Sequence, residues 1–169
     1  IAVLLTALFE DSEYTSPAEA LKNAGHELTT IEKEAGKVVK GKQGDAEVTI
    51  DKAIYDVDPA DFDALLIPGG YSPDKLRKDK EFLDFAKHFD ETDSVMIFMI
   101  CHGPQLLINA EIVEGKKMTS VSQVGIDLIN AGAIWENSEL VIDKSGLITS
   151  RTPDDLPVFN KAIVGALEK

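Results

Sequence analysis

Three apolar runs with no internal polar alternation, "IAVLLTAL", "ALLI" and "SVMIFMI", set the strongest constraint on what this chain can fold into. A strand with one wet face alternates polar and apolar residues, whereas a strand covered on both faces does not. Each run is followed by a turn signal and then by a helix-like stretch. That order predicts an α/β fold with a mostly parallel sheet and helices on both faces.

The helix signals are local. In "SPAEALKNAG", Ser16 is read as the cap, Pro17 as the first helical residue, and Glu19 as completing a capping box, with Gly25 ending the helix. The preceding "FEDSEYT" reads as a loop. "HELTTIE" is a second strand, and Lys33 to Gly44 a loop or hairpin excursion followed by "AEVTID". "SPDKLRKDKEFLDFAKHF" reads as a helix capped by Ser72, with Pro73 just inside. "GPQLLINAEIV" and "SQVGIDLINAG" are further helices, with "KKMTSV" as a strand between them. "AIWENSELVIDKSGLITSR" has hairpin character, with turns at "ENS" and "DKSG". "TPDDLPVFNKAIVGALEK" closes the chain as a helix whose first turn Pro157 delays or bends. With no repeat and no linker composition, residues 1–169 are expected to form one domain.

Net charge is −13, which disfavours nucleic acid and anionic membrane surfaces as partners. No apolar run approaches the roughly 20 residues of a membrane helix, and "IAVLLTALFE" lacks the basic start of a signal peptide. The single cysteine excludes an internal disulfide and a Cys-rich metal site, and a reducing, cytoplasmic setting is expected.

Chemistry in an open α/β sheet gathers beyond the carboxyl ends of the strands. Three features fall there. Cys101 stands where "SVMIFMI" stops and a helix starts, the setting of a nucleophile elbow, and the helix N-terminus is expected to lower its thiol pKa. His102 follows directly, as a base that curls back or as a backbone N–H donor to an oxyanion. Gly69 and Gly70 end another strand and let backbone N–H groups approach a ligand. Glu10 follows the first strand and is the carboxyl expected beside the thiol, held protonated by burial and by the negative sulfur. Glu10, Asp11 and Glu13 together also suggest a divalent-cation site, but no histidine or further acid pairs with them, so no metal is assigned. His26 and His88 read as ordinary surface residues.

"ICHGPQLLI", "ALLIPGGYSPDKLR", "FEDSEYTSPAEALKNAGHE" and "TSRTPDDL" occur in the same order as in the ThiJ/PfpI family, and the chain resembles its PfpI-type branch of intracellular proteases and general stress proteins. The resemblance implies a flavodoxin-like three-layer sandwich and a homodimer or larger homo-oligomer. It implies a cofactor-free site in which Cys101 is the nucleophile, Glu10 its carboxyl partner, His102 the base and the Gly70 N–H an oxyanion donor. In protease-like members a glutamate from a neighbouring subunit orients the histidine. The matching residue here is Asp74, one methylene shorter, and Val121 stands where such members carry an aromatic. The activities implied are conversion of glyoxals, removal of early glycation adducts from proteins, and peptide hydrolysis. The alternative is a redox sensor or chaperone that uses oxidation of Cys101.

Overall fold

A computed structural model describes residues 1–93 and 95–168. Two residues of the sequence-based assignments, Ser94 at the start of "SVMIFMI" and Lys169 at the end of the closing helix, lie outside them.

The elements run β1 (Ala2–Leu4), α1 (Asp11–Asn23), β2 (Thr29–Glu32), β3 (Val38–Lys40), β4 (Glu47–Thr49), β5 (Lys52–Ala53), β6 (Ala64–Ile67), α2 (Ser72–Leu76), α3 (Lys80–Glu91), β7 (Met96–Ile100), α4 (Pro104–Asn109), β8 (Lys117–Met118), α5 (Ser122–Asn130), β9 (Ile134–Trp135), β10 (Val141–Ile142), β11 (Leu147–Ser150) and α6 (Leu156–Leu167). Seven strands form the main sheet in the order β10-β11-β7-β6-β1-β2-β5, parallel throughout except for the edge pair β10–β11. The chain winds outward from β1 through β2 to β5, then returns to the other side of β1 with β6 and β7. The strand order therefore reverses beside β1, and the carboxyl ends of β1 and β6 are where sheets of this kind place their ligand sites.

The apolar runs explain the layers. Alternate residues of each central strand enter opposite cores. Leu4, Leu65, Ile67, Ile97 and Met99 pack with α3, α4 and α5 through Phe82, Phe85, Leu106 and Leu128. Val3, Leu5, Leu66, Phe98 and Ile100 pack with α1 and α6 through Leu21, Phe159 and Ile163. Every residue of β6 and β7 is buried, so neither strand has a wet face to mark with polar residues. This is the expected flavodoxin-like sandwich.

Several boundaries differ from the sequence reading, for physical reasons. Helix α1 begins at Asp11, not after Ser16, and Pro17 lies inside it. Ser16 caps nothing, because its Oγ accepts from Asn160 Nδ2 of α6 at 2.7 Å. Ser72 is likewise no cap. It is fully buried and its Oγ accepts the Thr6 N–H at 2.9 Å, tying α2 to the end of β1. The stretch from Ser72 to Phe89 is two helices, α2 and α3, separated at Arg77–Asp79. The helix after Cys101 stops at Asn109, and Glu111 takes a positive φ of 59°. The "ENS" turn joins no paired strands, since β9 pairs with β8 and β10 with β11. The hairpin excursion is real: β3 and β4 pair antiparallel beside the sheet.

Candidate active site

Cys101 follows β7 directly with φ 62°, a left-handed conformation that costs a non-glycine residue about 1–3 kcal/mol. The surrounding hydrogen bonds over-determine it. The Cys101 N–H donates to Ser150 O at 3.0 Å, Val121 N–H donates to Cys101 O at 3.1 Å, and Gly103 N–H closes the turn on Ile100 O at 2.9 Å. The elbow thus places the half-buried thiol just beyond the end of β7, against Gly69 at the end of β6.

The carboxyl that meets the thiol belongs to Glu13. It is fully buried on the first turns of α1, and its Oε1 accepts the Gly69 N–H at 3.0 Å. Oε2 has no nitrogen or oxygen partner, and the carboxyl lies within interaction range of the Cys101 thiol without meeting ordinary hydrogen-bond geometry. Burial, and then the charge of Glu10, push the Glu13 carboxyl up to about 8. It is therefore mostly protonated at neutral pH.

Glu10 does not occupy the position expected of it. It sits just ahead of α1, at the mouth of the site, where Gln43 Nε2 donates to its two oxygens at 3.2 and 3.4 Å and Lys42 Nζ stands 3.5 Å away. The cause is the early start of α1. Residues read as a loop are helical, and the helical turn carries Glu13 inward onto the face of Pro17 and Leu21. That spacing was available in the sequence: an acid in register with Pro17 and Leu21 would have singled out Glu13 had the helix been extended backward. Asp11 faces a third way and accepts backbone N–H groups of Gln43, Asp45 and Ala46 at 2.7–2.9 Å. The three acids thus hold three separate sets of partners.

The thiol pKa is raised, against the expectation from the helix N-terminus. Burial and the adjacent Glu13 charge push it up to about 12, and N–H groups of His102 and Gly70 pull the other way without prevailing. Helix α4 is short, and Pro104 brings no N–H to its first turn. The two N–H groups converge on the sulfur, an arrangement that can hold negative charge. Gly70 takes φ 74°, and the N–H of its neighbour Gly69 already donates to Glu13, so it is not free for a ligand. A methyl at Gly69 would stand 2.8 Å from Cys101 Cβ and closer still to Glu13 Oε1.

The His102 imidazole is half-buried, and burial followed by the charge of Lys42 lowers its pKa, so it is neutral and able to accept a proton. Asp74, on α2, lies near enough in the same chain to oppose that shift. Its exposed carboxylate pairs with Arg77 Nε at 3.2 Å, and no hydrogen bond joins it to His102 among the described residues.

A thiol on a strained elbow, a buried protonated carboxyl beside it and two converging N–H groups form a candidate site of the cysteine-elbow type on a doubly wound sheet. The model of the DJ-1/PfpI family matches residues 1–166, and the chain belongs to that family. It is 59% identical over 169 residues to general stress protein 18 of Bacillus subtilis, covering 100% of this chain and 98% of that one. It is 58% identical over 161 residues to protein/nucleic acid deglycase 2 of Escherichia coli, covering 95% and 93%. Among solved structures, it superposes with a TM-score of 0.95 and 36% identity on a protein of Anabaena variabilis with DJ-1/ThiJ/PfpI-like and ferritin-like domains. The match covers 98% of this chain and 47% of that two-domain protein, about half its length. No helix among the described residues is long and apolar enough to cross a membrane.

Proposed function

We propose that this protein is a stress-related, cysteine-dependent enzyme that adds Cys101 to reactive carbonyls, acting on glyoxals and on the early adducts they form with protein amines. The observation that carries the reading is the buried Glu13 carboxyl beside a thiol held at φ 62°. The resemblance to a relative named a deglycase, at 58% identity, supports the substrate class.

In this reading the sulfur forms a bond to the aldehyde carbon while the thiol proton passes to neutral His102. The carbonyl electron pair moves to oxygen, which receives hydrogen bonds from the N–H groups of Gly70 and His102. Glu13 donates its proton to that oxygen, giving a hemithioacetal. As a carboxylate, it then takes the C–H proton of the same carbon and returns it to the neighbouring carbon, with His102 moving the matching O–H protons. The result is a thioester of a 2-hydroxy acid. Water cleaves it, restoring the thiol and the carboxyl. On the hemiaminal that a glyoxal forms with an amine, the C–S bond forms as the C–N bond breaks: the thiol proton passes to His102, Glu13 protonates the departing amine, and the same hemithioacetal results and goes on to the 2-hydroxy acid.

A cytoplasmic setting and a homo-oligomer in which Asp74 of one copy faces His102 of another belong to the same reading. Light scattering at low micromolar concentration tests the assembly. The function is tested by turnover of methylglyoxal, of a lysine peptide freshly glycated with it, and of an unmodified peptide reporter. The expected result is turnover of the first two that vanishes in Cys101→Ser. Equal turnover by wild type and Cys101→Ser would overturn it. Turnover of the unmodified peptide alone would reassign the site to peptide hydrolysis.

A further inference from the structure

The hairpin β3–β4 is fastened to the site by backbone and carboxylate hydrogen bonds. Leu8, itself strained at φ 65°, donates to Lys40 O at 2.8 Å, and Lys42 N–H donates to Phe9 O at 2.8 Å. The Asp11 carboxylate takes three further N–H groups from the hairpin turn, and burial of Asp11 is outweighed by them, so its pKa falls and its charge persists. The loop that follows β1 is in turn fastened to the loop that follows β6, through Glu10 N–H to Gly69 O at 3.2 Å and Tyr71 N–H to Leu8 O at 2.8 Å. One residue of the hairpin extends a cation into this frame. Lys42 Nζ lies 3.5 Å from Glu10 and 5.2 Å from the centre of the Tyr71 ring, so it spans the mouth between the residues that flank Gly69 and Gly70.

We propose that Lys42 is a specificity residue: it recognises a carboxylate carried by the carbonyl substrate and holds it at the mouth of the Cys101 site. The proposal rests on the carbonyl-addition reading above and names its substrate class as 2-oxoaldehydes, or their amine adducts, that bear a carboxylate.

Three features favour a carboxylate over no ligand or a dianion. The Glu10–Lys42 separation is long for a hydrogen bond, and Gln43 also donates to Glu10, so Glu10 keeps a partner when Lys42 turns to a ligand. The Lys42 side chain is partly exposed and its backbone is fixed by the Phe9 bond, so the cation is presented and not buried. A single cation next to an acid suits a singly charged group better than a phosphate dianion. Its field reaches the reacting groups too, since the charge of Lys42 depresses the proton affinity of both Glu13 and His102.

Because Cys101 is the only cysteine, its alkylation reports this field directly, whether or not the protein turns over a substrate. The measurement is the ratio of second-order rates for iodoacetate and iodoacetamide, a carboxylate and its neutral amide, in wild type, Lys42→Gln and Lys42→Arg. The ratio is expected to fall about tenfold in Lys42→Gln, the size of a partly screened charge pair, and to stay within about twofold of wild type in Lys42→Arg. The companion assay is the kcat/KM ratio for 4-carboxyphenylglyoxal over phenylglyoxal, expected to fall by a similar factor through KM. Equal alkylation ratios in all three proteins would overturn the role of Lys42 even if both glyoxals are turned over. A changed alkylation ratio with no turnover of either glyoxal would uphold the anion site and overturn the carbonyl chemistry.

Discussion

The Glu13 carboxyl and the Cys101 thiol face each other across Gly69: the Glu13 charge raises the proton affinity of the thiol, while burial and then Glu10 raise that of the carboxyl against the pull of the thiol. Two acids that are buried together cannot both ionise cheaply, so the pair loses its protons in steps that belong to the pair. A carboxyl held protonated next to a sulfur can donate to an oxyanion at neutral pH, which an ordinary surface glutamate cannot do.

Glu13→Gln removes that proton while keeping the shape and the acceptor for Gly69 N–H. Glyoxal turnover is expected to fall by about 100-fold or more, the usual range for a general acid–base group, with far-UV circular dichroism unchanged. Glu10→Gln changes only the charge at the mouth and is expected to cost less than tenfold. A larger loss at Glu10 than at Glu13 would reverse the assignment.

The contrast between those two glutamates reflects how the sequence carries its information. The central strands are legible because β6 and β7 are buried on both faces and contain nothing polar. The elbow is legible because an apolar run ends in Cys101 and restarts at Pro104. The start of α1 is not legible locally. "SPAE" has the form of a capping box, whereas the true N-terminus at Glu10 makes no side-chain cap bond. Ser16 bonds Asn160 and Ser72 bonds Thr6, contacts made by residues far away in the chain. Long-range partners took the side chains that local rules assigned to caps, and the carboxyl that meets the thiol moved with the helix boundary.

A buried carboxyl with a raised pKa makes stability depend on pH. The folded state holds the Glu13 proton to about 8, while the unfolded chain releases it near the ordinary value of 4.5. Between those values the folded state binds more protons, so this stabilisation is full below the lower one and is lost as pH rises through the upper one. Urea unfolding of wild type is therefore expected to weaken from pH 5 to pH 8.5 by on the order of a few kcal/mol relative to Glu13→Gln, which lacks the titration. Parallel pH dependence in the two proteins would contradict it.

The same pairing governs the thiol. Burial is the first cause of its high pKa and the Glu13 charge the second. Glu13→Gln removes only the second, so the pH–rate profile of Cys101 alkylation by iodoacetamide is expected to move to lower pH by about one unit or more, while staying above that of an ordinary free thiol at about 8.5. An unmoved profile would mean that the sulfur does not sense the Glu13 charge.

Gly69→Ala tests the spacing itself. The backbone at Gly69 does not take a positive φ, unlike Gly70 at 74°, so alanine meets no strain there from conformation alone. Its methyl would press on Glu13 Oε1, which at the end of a side chain can yield, and on Cys101 Cβ and Ile100 O, which move only with the elbow itself. Overpacking of this kind costs about 1–3 kcal/mol. The chemistry should suffer more than the fold, because displacing Glu13 by a fraction of an ångström separates it from both the thiol and the Gly69 N–H. Turnover is expected to drop about 100-fold, with an unfolding midpoint still measurable at room temperature. At Gly70 the order is reversed. A methyl there would meet backbone atoms of Leu8, Phe9 and Glu10, which cannot swing aside, and the positive φ adds its own strain. Gly70→Ala is therefore expected to lose more stability than Gly69→Ala. Measuring urea midpoints and turnover on both variants separates spacing from scaffold: equal stability losses in the two, with matching losses of turnover, would show that the two glycines serve the turn alone.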